Sequence, residues 1–99
     1  MMTVRIAVMR TARYDDLIAK YELPQESPCD MREGQVFETD GTRPEGFCQS
    51  AWETLFPFVK ALLNGESKFY GDWMVDPRSA MISCNDGFRP VSFLLEVEE

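Results

Sequence analysis

Two hydrophobic periods organise the chain. From Thr3 to Met9 the residues alternate, with Val4, Ile6 and Val8 on one side and Thr3, Arg5, Ala7 and Met9 on the other. A repeat of two is the mark of a half-buried strand. The period then lengthens. Tyr14, Leu17, Ile18 and Tyr21 recur at helical spacing, and Asp15-Asp16 fall where carboxylates favour a first turn. A short amphipathic helix is therefore expected at about 12–21. Leu23 to Glu33 carries Pro24, Pro28 and Cys29 and reads as an ordered loop. Gln35 to Thr39 reads as a short strand with Val36 and Phe37 packing inward, turned by Asp40-Gly41.

The longest signal lies between Pro44 and Gly65. Cys48, Trp52, Leu55, Val59 and Leu62 follow at steps of four, three, four and three, which lays one apolar stripe along a helix. That helix is expected at about 50–64. Ser50 and Glu53 fit a capping box, although Pro44-Glu45-Gly46 would serve equally to open a first turn that already contains Cys48. Asn64-Gly65 supplies residues that tolerate a left-handed helix end. Pro57 removes a backbone donor and crowds the carbonyl four residues back, so a kink or a later start is expected there.

Glu66 to Arg78 is a long connection containing Phe69, Tyr70, Trp73 and Met74. It must either fold onto the body or present an apolar surface to a partner. Ser79–Cys84 and Arg89–Val97 read as two strands around Asp86-Gly87, the favoured pair for a two-residue type I′ turn. That turn sets Cys84 opposite Arg89, Ile82 opposite Val91 and Ala80 opposite Phe93, all on one face. The elements sum to an α+β domain spanning 1–99. It consists of a small four-stranded, mainly antiparallel sheet or part-barrel, packed against the long helix and the short one.

Composition narrows the function classes. The chain has 99 residues, 44% hydrophobic and 27% charged, enough for one core without staples. Its net charge of −7, with no basic run, disfavours nucleic acid and anionic membranes. No apolar run reaches spanning length and the N-terminus lacks the pattern of a secretory leader, so a cytoplasmic location is expected. Three widely spaced cysteines suit reduced thiols. Histidine is absent, which removes Ser-His and Cys-His pairs and imidazole ligands together.

Chemistry is then left to the thiols and their neighbours: Cys29 in the Pro-rich loop, Cys48 at a helix start and Cys84 at a strand end, with Arg89 and Asp86 beside the last. Unpaired N–H groups at a helix N-terminus favour a thiolate, and a guanidinium across a hairpin acts in the same sense. Free cysteines are also commonly just small buried hydrophobes. No cofactor is expected. A metal ion would need Cys29, Cys48 and Cys84 together, completed by Asp30, Asp86 or water, and no C-x-x-C spacing supports it. Arg89 has the alternatives of gripping a small anion or pairing with Asp86 or Glu45. Glu33, Glu45, Asp72 and Asp76 are read as surface carboxylates.

The segments Pro28-Cys29, Pro44-Glu45-Gly46-Phe47-Cys48 with Ala51-Trp52, and Cys84-Asn85-Asp86-Gly87-Phe88-Arg89-Pro90-Val91 resemble a family of small uncharacterised prokaryotic proteins. The resemblance implies a self-contained domain and no particular reaction. In similar proteins a proline often follows the first cysteine and a second cysteine often precedes the one matching Cys84; Asp30 and Ser83 stand at those positions here. Two functions remain. One is a non-catalytic binding or interaction module, with a homodimer through the Phe69–Met74 loop. The other is a thiol site of Cys29, Cys48 and Cys84 used for redox chemistry or metal binding.

Overall fold

The computed structural model describes residues 2–24 and 30–99. Cys29 and the middle of the Pro-rich loop lie outside them. The element order is β1 (Thr3–Thr11), α1 (Asp15–Tyr21), β2 (Val36–Thr39), α2 (Gln49–Leu63), α3 (Phe69–Asp72), β3 (Ser79–Ser83) and β4 (Val91–Glu98). The strands form one open antiparallel sheet in the order β2-β1-β4-β3, so the part-barrel alternative is not realised.

Alternation decides which side of the sheet is dry. Val4, Ile6 and Val8 of β1 point the same way as Ala80 and Ile82 of β3 and Val91, Phe93 and Leu95 of β4, and all are buried. Helix α2 covers them with Trp52, Leu55, Val59 and Leu62 of the predicted stripe, joined by Ala51; Cys48, the first residue of that stripe, is half-buried at the cap. Fully burying a residue such as Leu55 or Leu62 contributes about 1.5–3 kcal/mol. Among the described residues no helix packs on the opposite face. Across it runs an apolar row of Val36, Ala7, Leu94 and Met81 beside a charged row of Glu38, Arg5 and Glu96. Val36 lies in this row, 48% exposed, so it does not pack inward; Phe37, its neighbour in the alternation, does.

The ends of α2 follow from backbone accounting. Its C-terminus is a Schellman cap: Glu66 N–H donates to Ala61 O, Gly65 N–H donates to Leu62 O, and Gly65 takes φ +85°. At the N-terminus Cys48, not Ser50, is the cap residue, and it makes no side-chain cap bond. The capping box is not used because Ser50 Oγ donates to Asn85 Oδ1 at 2.6 Å. The helix also neither stops nor starts at Pro57. Both Pro57 and Glu53, whose carbonyl loses its donor, are exposed, so water can replace the missing bond.

The start of α1 is later than its periodicity suggests. β1 runs on through a bulge between Val8 and Arg10, and the next N–H groups remain in sheet-like pairing. Ala12 N–H donates to Pro90 O and Tyr14 N–H to Phe88 O. Donors held this way leave Asp15 as the first helical residue. The apolar stripe of α1 is not buried: Leu17 and Tyr21 are exposed and Ile18 is half-buried.

The β3–β4 register differs from the predicted one by two residues. Ala80 pairs with Leu95 and Ile82 with Phe93, while Cys84 N–H donates to Val91 O. Residues 85–90 form a longer loop, and Gly87 does not take the positive φ of a type I′ turn. Asp86 Oδ1 accepts the N–H groups of Phe88 and Arg89, closing a side-chain turn instead. The carbonyls of Phe88 and Pro90 already belong to the continuation of β1. A shift of two keeps the same faces inward, which is why the apolar face was assigned correctly while the partners were not.

Candidate functional site

Two places in the fold gather the residues that carry chemistry. The first is a cavity of about 80 Å³ between the start of α2 and the 84–91 loop. Cys48 and Ser50 line it from the helix; Cys84, Asn85, Asp86 and Arg89 line it from the loop, with Phe93 at its base. Four of the five singled-out residues thus meet. The fifth, Cys29, lies outside the described residues. Both described thiols are free and half-buried. Cys84 Sγ accepts the Val91 N–H at 3.3 Å. The cavity adjoins a second hollow of about 210 Å³ that shares Asp86, Arg89 and Val91 and extends to Arg13 and Met31.

Arg89 stands between the two hollows, but its charge is engaged. Its Nη2 donates to Glu22 Oε1 at 2.7 Å and its Nη1 to Glu22 Oε2 at 3.0 Å, a two-pronged pair. The side chains are only 21% and 9% exposed. The hydrogen bond to Glu22 holds the guanidinium above its already high ordinary pKa; desolvation opposes it, and the charges of Glu22, Asp86 and Asp15 add to it. The predicted partner, Asp86 or Glu45, is therefore replaced by Glu22, and the fork that would grip a small anion is filled. Asp86 contributes to Arg89 through the backbone N–H. Among the described residues no group of three Cys, Asp or Glu side chains comes together to ligate a metal.

The second place is the connection after α2. Phe69 folds inward against Phe58, as an aromatic loop on a body should. Tyr70 and Trp73 do not: they are 59% and 65% exposed. Phe58, Tyr70 and Trp73 form a run of rings, with centroids 5.9 Å and then 4.9 Å apart. Val75 beyond them is fully exposed. The backbone that presents these rings is unusual. Lys68, Tyr70 and Asp72 have φ of 58°, 55° and 75°, and Gly71 lies between them at 71°. A non-glycine residue in this region costs roughly 1–3 kcal/mol, and such outliers concentrate at functional sites.

Three side chains of these sites were not singled out from sequence. Glu22 falls just past the predicted helix and was given no role. Ser50 had been given to a cap, and Asn85 to a turn. Each partner is distant along the chain, so no local spacing announces it. Of the remaining arginines, Arg78 Nη2 donates to Leu62 O at the end of α2 and Arg43 Nη1 donates to Phe47 O. The carboxylate of Asp76 is occupied by the Arg78 N–H. No family model matches the sequence, and neither a curated protein nor a solved structure matches it.

Proposed function

We propose that the protein is a non-catalytic interaction module that pairs with a second copy of itself through the surface around Tyr70 and Trp73. The observation that carries this is the pair of exposed rings Tyr70 and Trp73, stacked on from the half-buried Phe58 and presented by a left-handed stretch of backbone at 68–72. Exposed clustered aromatics are the side chains that dominate binding energy at interfaces. The surface also has the charge pattern of a self-complementary face. Lys68 and Asp72 are both exposed and lie on either side of Tyr70 in the chain, opposite charges that a two-fold pairing of this face could set against each other.

The absence of catalysis is supported by two features. The chain has no histidine. The charged residues at the cavity are already committed, Arg89 to Glu22 and Asp86 to backbone N–H groups. The proposed setting is the cytoplasm, without nucleic acid, membrane or cofactor. No helix among the described residues is long and apolar enough to cross a membrane. Light scattering coupled to size exclusion tests the reading. The wild type is expected to run as a dimer at high concentration and Trp73→Ala as a monomer with an unchanged circular dichroism spectrum. A wild type that stays monomeric at every concentration overturns it.

A further inference from the structure

We propose that Cys48 and Cys84 are a redox pair, which a hydroperoxide converts to an intramolecular disulfide pinning the start of α2 to the end of β3. Both thiols line the same cavity of about 80 Å³, and neither is sealed in the core. They sit on separate elements that the fold already clasps beside them: Ser50 Oγ donates to Asn85 Oδ1 at 2.6 Å, two residues after one thiol and one residue after the other. Cys48 makes no capping bond, although it stands at the N-terminus of a 15-residue helix. The Val91 N–H holds Cys84 Sγ at 3.3 Å. Two thiols on separate elements that line one cavity are an arrangement in which a sulfenic acid formed at one can be resolved by the other.

The reaction balances with the peroxide as its only oxidant. The Cys48 thiolate attacks one peroxide oxygen; an S–O bond forms, the O–O bond breaks, and the departing alkoxide or hydroxide leaves protonated. The Cys84 sulfur then attacks the Cys48 sulfenic acid. The S–S bond forms, the S–O bond breaks, and hydroxide leaves as water with the Cys84 proton. The pair loses two electrons and two protons, and a reducing dithiol reverses the change by exchange. The product closes a long covalent loop, which should raise the melting temperature by on the order of 10 °C.

The experiment uses the full chain treated with one equivalent of hydrogen peroxide, quenched with an alkylating agent and mapped by peptide mass spectrometry. Wild type and Cys29→Ser are expected to yield the Cys48–Cys84 linkage and a raised melting temperature, both reversed by dithiothreitol. Cys84→Ser is expected to trap a sulfenic acid at Cys48 that dimedone labels. The same treatment in urea should give a far lower yield of this linkage. A dominant linkage through Cys29, separate oxidation of unlinked thiols, or equal yields folded and unfolded would each overturn the proposal.

Discussion

Glu98 and Glu38 show how crowded carboxyl groups shape the open face of the sheet. Their strands flank β1, and the two carboxyl groups approach each other over it closely enough for a hydrogen bond once one is protonated. That bond, then burial, then the charge of Glu38 hold Glu98 above its ordinary carboxyl pKa; Arg5 opposes them and Glu96 adds to them. The folded chain therefore binds more protons than the unfolded chain between the ordinary and the raised value. The resulting stabilisation is complete below the ordinary value of 4.5 and is lost as pH rises through the raised one. At neutral pH the crowded charge is a cost. Glu98→Gln is thus expected to raise the urea midpoint near pH 7 and to lose that advantage near pH 4, where carboxyl groups of ordinary pKa already protonate. Midpoints that agree near pH 7 would mean the pair is solvated and uncoupled.

At the scale of the element, α2 departs from a local rule and the consequence can be measured. A proline inside a helix costs about 3 kcal/mol through the missing donor and the crowded carbonyl. Pro57 also stiffens the unfolded chain, which returns up to about 1 kcal/mol. Pro57→Ala restores a donor to the Glu53 carbonyl on an exposed face and removes nothing from the core. It is expected to stabilise the protein by about 1–2 kcal/mol in thermal unfolding. A loss of stability would show that the helix has bent to suit the ring. The 85–90 loop carries the opposite lesson. Its Asp-Gly pair has the composition of a tight turn, yet Asp86 and the carbonyls of Phe88 and Pro90 are bound elsewhere. Local chemistry lost there to contacts made in three dimensions.

For the whole molecule, charge and apolar surface pull in different directions. Two copies with a net charge of −7 each repel, while in the proposed dimer their exposed rings would attract. Salt screens the first and leaves the second, so the dimer is expected to tighten as ionic strength rises, as followed by sedimentation velocity. Weakening with salt would instead mark an assembly held by ion pairs, such as Lys68 with Asp72, rather than by Tyr70 and Trp73.

The four strands, the long helix and the inward faces of Val4, Ile6, Val8, Leu55 and Val59 were legible in the chain alone. Burial imposes a period of two or of 3.6 on every such segment, and a period survives in one dimension. The position of Cys48 and Cys84 as candidates was legible too, but not their meeting. What the tertiary structure decided was which neighbours each residue acquired: Glu22 for Arg89, Asn85 for Ser50, and Leu95 rather than Phe93 for Ala80. Those choices depend on which backbone donors and carbonyls remain free once distant segments have paired. No spacing along a sequence records that.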